Sequence, residues 1–219
     1  MDRRDAKEVI SWVLAEMRKH LYPYTTDGKL DLGKFNQGSI SRIKGWEDLQ
    51  TPSNSLRLDG TNPPVWTPYK SGQVLAFEDQ AVNYQVVYWV WQLPHSYKLG
   101  SAIYPHIHTV PEDNTAGNVY WEFTYSIAAV NDAFPVATSI FLTQVQPEVT
   151  DKHTYTSFDA IPGSALPSES TDISTMIICS LARRSDDVLD TFTGKDVYLL
   201  EVDLHYERDT TGSYSILVK

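Results

Sequence analysis

The 219-residue sequence has a single cysteine, three methionines and no apolar run near the ~20 residues that span a bilayer. With one cysteine there is no internal disulfide, which excludes a disulfide-stapled scaffold. Cys179 lies in the apolar run from Met176 to Leu181, with no base beside it in sequence. It reads as a small buried hydrophobe and not as a thiol nucleophile. Positive charge is scarce too: 18 basic against 28 acidic residues leave a net charge of −10. A surface of that sign repels phosphate backbones, so nucleic acid is not an expected partner. No Gly-x-Ser-x-Gly elbow, Walker loop or Rossmann glycine fingerprint occurs. The first residues, Met1 to Asp5, lead into an amphipathic segment and not a signal-peptide core. Synthesis in a reducing cytoplasm, without recognisable export and without a membrane partner, is the expectation. At 42% hydrophobic and 21% charged residues, disorder and collagen-like repeats are excluded, and the length suits one domain with an appendage.

What is present divides into three parts. Residues 1–21 predict an amphipathic helix, with Ala6, Ile10, Val13 and Met17 spaced four, three and four apart and Val9 and Leu14 widening the stripe. Arg18, Lys19 and His20 suit its C-terminal dipole, and Pro23 stops it. The apolar stripe predicts oligomerisation or docking, or packing on the helix's own domain. Residues 22–71 change character: Asp27-Gly28, Gln37-Gly38, Asp59-Gly60 and Asn62-Pro63-Pro64 mark turns between short apolar pieces, predicting an irregular arm with short strands. Trp46 and Trp66 in this arm read as staples to the main body, with a sugar-stacking platform as the alternative. Residues 72–219 are almost entirely strand-like. Tyr84 to Gln92 is apolar or aromatic on both faces and predicts a central strand covered on both sides. In the run from Val119 to Val130, Val119, Trp121, Phe123, Tyr125 and Ile127 share a face. From Val197 to Arg208, alternation places Tyr198, Leu200, Val202, Leu204 and Tyr206 inward and Glu201, Asp203, His205 and Glu207 outward. Eight or nine such runs without helical crossovers predict a mainly β fold: an antiparallel jelly-roll β-sandwich with an N-terminal α-helix and an irregular arm.

One stretch carries metal-like spacing. Gly100, His106, His108 and Glu112 are similar to the first metal-binding motif of cupins. On a strand, His106 and His108 share a face, and imidazoles with a carboxylate suit zinc, iron or manganese. The closing Gly117 arrives too early, however, and no second motif with a proline–glycine pair and a histidine follows. The expectation is therefore no metal and no cofactor, with His106, His108 and Glu112 as the candidates if one is held. Paired carboxylates at Asp186, Asp187, Asp190, Glu201 and Asp203 could suggest glycoside hydrolysis, but i,i+2 spacing on a strand meets that distance trivially. No catalytic residue is assigned, and an enzyme is not expected.

The block Gln92 to His108, with Leu93-Pro94-His95 and Tyr104-Pro105-His106-Ile107-His108, followed by Gly117 to Tyr125, resembles a family of tailed-bacteriophage virion proteins. Ser174 to Arg183, Leu200 to Glu207 and Asp59 to Pro64 are similar to the same family. The resemblance implies a non-enzymatic virion component of jelly-roll type, arranged as a homo-oligomer (trimer or dimer) and made in the host cytoplasm. Its partners would be the major capsid protein or other virion proteins. Within that family the parts best suit a capsid decoration or cement protein. A tail- or neck-associated adaptor or fibre protein is the alternative, and a cupin-like metal-binding enzyme is the alternative from another class.

Overall fold

A computed structural model of the chain describes residues 44–80, 83–169 and 172–213. The helix predicted for 1–21, with Ala6, Ile10, Val13 and Met17, lies outside the described residues, as do the first half of the predicted arm and most of a last strand predicted at 213–218.

Eleven strands are described: β1 (Gly45–Pro52), β2 (Arg57–Leu58), β3 (Val65–Tyr69), β4 (Gly72–Phe77), β5 (Gln85–Gln92), β6 (Ile103–Pro111), β7 (Asn118–Ala128), β8 (Thr138–Val145), β9 (Thr154–Ser157), β10 (Met176–Arg183) and β11 (Val197–Arg208). Turn residues cut the chain where the sequence places them, and β-branched and aromatic residues fill the intervals. Two antiparallel sheets result. One runs β3-β4-β11-β6-β9, with β1 also paired to β11; the other runs β2-β5-β10-β7-β8. From β4 onward the strands match first to last: β4 with β11 and β5 with β10, then β6 with β9 and β7 with β8. The long ladder is then rolled up so that β11 meets β6 and β10 meets β7. That path is a jelly roll, as the alternation and the absence of crossovers predict.

Period-2 alternation builds the core. Val87, Trp89 and Trp91 of β5, Val119, Trp121 and Phe123 of β7, and Ile177, Cys179 and Leu181 of β10 face Leu75, Phe77, Ile107, Val202 and Leu204 of the opposite sheet. Phe77 meets Trp121 edge-on at 5.2 Å between ring centres. The Cys179 thiol is buried, which holds its pKa well above the ordinary value and keeps it protonated. Between the sheets, Trp121 donates to Gln144 Oε1 at 2.9 Å, and the Gln144 amide donates to Thr109 and Thr156 at 2.7 and 2.9 Å.

Two predicted strand faces need correction. β5 is covered on one side only: its inward residues are buried, while Tyr88 and Val90 are exposed on the outer face of their sheet. Apolar residues on both faces of a strand reflect burial on one side and an uncovered patch on the other. In β11 the pairing to β6 shifts register between Leu199 and Glu201. This bulge exchanges the two faces. Val197 and Leu199 are buried before it and Val202, Leu204 and Tyr206 after it, so Tyr198 and Leu200 do not belong to the buried set.

One end of the sandwich is tied by a buried ion pair. Arg183, fully buried at the end of β10, engages Asp190 through Nε and Nη2, both at 2.9 Å. Its remaining donors reach the carbonyls of Phe77 (2.9 Å), Lys195 (2.7 Å) and Phe192 (2.9 Å). Asp190 also accepts the Tyr120 backbone N–H at 3.1 Å. The guanidinium is thus satisfied in its planar fork, a geometry lysine does not reproduce. Arg183→Ala is expected to destabilise the fold by about 3–5 kcal/mol by leaving Asp190 buried and unpaired. Arg183→Lys should recover little of this, and urea denaturation of the three proteins measures the difference.

Candidate functional site

Beyond the β11 bulge, Glu201, Asp203 and His205 project from the outer face of the six-stranded sheet. On β6, Tyr104, His106 and His108 project from the same face. The register sets Asp203 beside His106, Glu201 beside His108 and His205 beside Tyr104. β9 adds Tyr155 opposite His108 and Ser157 opposite His106, with His153 just before the strand. β1 brings Trp46 and Asp48 to the other flank: His205 Nε2 lies 2.7 Å from Asp48 Oδ1, and Trp46 meets Tyr104 edge-on at 5.5 Å.

This face is outward but not solvated throughout. His106 is 1% and Asp203 2% exposed, while the His108 side chain keeps 22%. His106 Nε2 and His108 Nε2 stand 3.5 and 3.3 Å from the same oxygen, Asp203 Oδ2. The other oxygen, Oδ1, accepts the backbone N–H of Thr51 at 3.3 Å. His108 Nδ1 and His153 Nε2 share a hydrogen bond of 2.7 Å, and the His106 ring stacks on His205 with centres 4.3 Å apart. Beside the cluster, Trp46, Tyr104, Tyr155, Ser157 and His205 line a cavity of about 310 Å³.

Burial pushes the His108 imidazole below its ordinary pKa; Asp203 opposes this, and His106 and His153 add to it. Burial also raises the Glu201 carboxyl, with Asp203 and Asp48 adding like-charge repulsion. The site therefore combines a neutral-leaning imidazole with carboxylates that crowd one another, and no lysine or arginine pairs with Asp203 among the described residues.

The structure brings His106 and His108 together as their spacing predicts, but not Glu112. Glu112 is exposed beyond the end of β6, where its Oε2 accepts the Asp196 backbone N–H at 2.9 Å and its own N–H donates to the Asp196 carbonyl. Asp203 stands in its place. From the sequence it reads as one of several outward acidic residues. The signal available was the i,i+2 pair Asp203-x-His205 matching His106-x-His108, and it becomes visible only once the register is known. Of the carboxylates weighed for hydrolysis, Asp186 pairs with Arg184 at 2.9 Å and Asp190 with Arg183, whereas Glu201 and Asp203 stand in the histidine cluster itself. Neither arm tryptophan is buried as a staple would be: Trp66 is 37% and Trp46 59% exposed, and Trp46 lines the cavity instead.

No family model matches the sequence, and no curated protein matches it. Solved structures with a similar fold include the tandem CBM22-1–CBM22-2 domain of Paenibacillus barcinonensis Xyn10C, at 13% identity and a TM-score of 0.40. The alignment covers 72% of this chain and 48% of that one. The infectious bursal disease virus Gx strain is similar at 8% identity and a TM-score of 0.42, over 80% of this chain and 34% of that one. A family 30 carbohydrate-binding module aligns at 12% identity and a TM-score of 0.37, over 74% and 88%. At these values the likeness is one of β-sandwich shape alone.

The Asp196 side chain, beside Glu112, has its pKa raised from 3.8 to about 6 by burial, then by the charges of Glu112 and Glu78, with Arg183 opposing. A carboxyl whose pKa rises on folding holds its proton more tightly in the folded state. The stabilisation is therefore present below pH ~4 and lost as pH rises through about 6. Asp196→Asn is expected to be more stable than the parent at pH 7, by about 1 kcal/mol once solvent screening of this half-exposed group is allowed for. The difference should vanish by pH 4, as read from paired urea titrations at the two pH values.

Proposed function

We propose that this chain is a non-catalytic virion structural protein of a tailed bacteriophage, with decoration of the assembled capsid as its role. The observation that carries this reading is the outer face of the five-stranded sheet. Along the neighbouring strands β5 and β10 of this face the outward positions are Val86, Tyr88, Val90 and Gln92, and Met176, Ile178, Ser180 and Ala182, a strip flanked by Arg57 opposite Tyr88 and Glu122 opposite Ala182. No charge stands within the strip, in a chain with 18 basic and 28 acidic residues. Tyr88, Val90 and Ile178 are 41%, 52% and 47% exposed.

Depletion of charge with enrichment in tyrosine, methionine and aliphatic residues is the composition of the centre of a protein–protein interface. For an acidic protein it is also the face that meets a neighbour with least like-charge repulsion. The partner we assign to it is the outer surface of the capsid shell. A ligand that binds only the assembled shell adds its binding free energy to the assembled state, which is how a cement protein stabilises. The resemblance of Gln92 to His108 and Gly117 to Tyr125 to phage virion proteins supports the same context, and a jelly roll supplies a rigid flat face.

Immunogold labelling of intact virions with antibody against residues 72–219 tests the reading. Label over the head is the expected result. Label confined to the tail or neck would replace it with the adaptor role, and absence of label with accessible epitopes would overturn the virion assignment. Val90→Glu and Ile178→Glu lie at exposed positions and should change folding stability by no more than about 0.5 kcal/mol. Both are expected to remove the protein from purified virions, as read by immunoblot of the particles.

A further inference from the structure

The contacts in the histidine cluster fall into two groups by distance. His205 Nε2 to Asp48 Oδ1 and His108 Nδ1 to His153 Nε2 are close contacts of 2.7 Å each, the second a hydrogen bond. His106 Nε2 and His108 Nε2 stand farther out, at 3.5 and 3.3 Å from Asp203 Oδ2. These are longer than the ~2.7–3.2 Å of a good N–H···O bond. They match the ~3.3–3.5 Å that separates ligand atoms held at ~2.0–2.2 Å around a tetrahedral metal. The donor atoms of all three residues lie within 4.8 Å of one another.

We propose that His106 Nε2, His108 Nε2 and Asp203 Oδ2 bind one divalent transition-metal ion, of which zinc best fits a set of two imidazoles and a carboxylate. The surroundings are arranged as metal ligands require. Thr51 N–H donates to Asp203 Oδ1, while Oδ2 is the oxygen that faces both imidazoles. His108 Nδ1 shares its hydrogen bond with His153 Nε2, and the tautomer with the proton on Nδ1 leaves the His108 Nε2 lone pair for the ion. Asp203 is a carboxylate buried with no lysine or arginine partner among the described residues, and a cation supplies the charge it lacks. The ion reaches the site past His108, the most exposed of the three. In a neighbouring trio, Asp48, His106 and His205, the 2.7 Å between His205 Nε2 and Asp48 Oδ1 is too short for two ligands of one tetrahedral ion, and this trio is not the site assigned. Bound there, the ion would cross-link β6 to β11 and fix the His153 end of β9 through His108, a stabilising role beyond the assembly face.

The test uses the full chain, stripped with a chelator and titrated with zinc chloride by calorimetry and with cobalt(II) by visible absorption. One ion per chain is expected, with tetrahedral cobalt bands and a melting temperature that rises with zinc concentration. His108→Ala, at the partly exposed position, should stay folded by circular dichroism and lose more than tenfold in affinity, and Asp203→Asn should behave alike. Glu112→Ala should bind as the parent does. No binding by the folded parent would overturn the proposal, and so would parent-like affinity in His108→Ala. Loss of binding in His205→Ala alone would overturn it in favour of the neighbouring trio. Because the titration is made on purified protein and the labelling on virions, either proposal can fail without the other.

Discussion

The sandwich depends on the buried Arg183–Asp190 pair. Each sheet carries its own ladder of hydrogen bonds, and the packing of apolar side chains between them is non-directional. Arg183 supplies direction at one end. From β10 in one sheet it reaches the Phe77 carbonyl at the end of β4 in the other, together with the carbonyls of Phe192 and Lys195 in the segment leading into β11. Asp190 adds the start of β7 through the Tyr120 N–H. Strands from both sheets and the last crossover are thereby held in one arrangement, by groups whose desolvation leaves no tolerable alternative partner.

With the interior fixed in this way, chemistry is confined to the two outer faces, and these differ sharply. The five-stranded sheet presents Tyr88, Val90 and Ile178 in an uncharged strip along β5 and β10, with Arg57 and Glu122 at its flanks. The six-stranded sheet gathers imidazoles, carboxylates and aromatic rings around Asp203 and the Trp46 cavity. The division follows from alternation: residues not directed into the core have only one other side to occupy. The proposed assembly surface and the proposed metal site would therefore lie on different faces of one small domain.

The fold was largely legible in the sequence. The runs at Val74–Phe77, Val119–Val130 and Thr175–Arg184 correspond to β4, β7 and β10 within a residue or two, because turn chemistry and period-2 alternation are local properties. Two features are not legible locally. The aromatic run of β5 predicts two-sided burial, but the composition of a strand does not say what covers it. The alternation of β11 reads as continuous through the Leu199–Glu201 bulge, which no residue type announces. The candidate site was legible only as His106 and His108.

The sequence by itself determined a one-cysteine, acidic, antiparallel β protein and the inward residues of most strands, since side-chain period, turn residues and net charge are written along the chain. Only the tertiary structure decided that Asp203 and not Glu112 joins the two histidines. Asp203 is 95 residues from His108 in sequence, and the pairing of β11 with β6 closes that separation. The bulge sets which side of β11 faces out, and Glu112, four residues from His108, is carried past the strand end to Asp196. Nearness in sequence on a strand is bounded by where the strand stops, whereas register can bring distant residues within bonding distance.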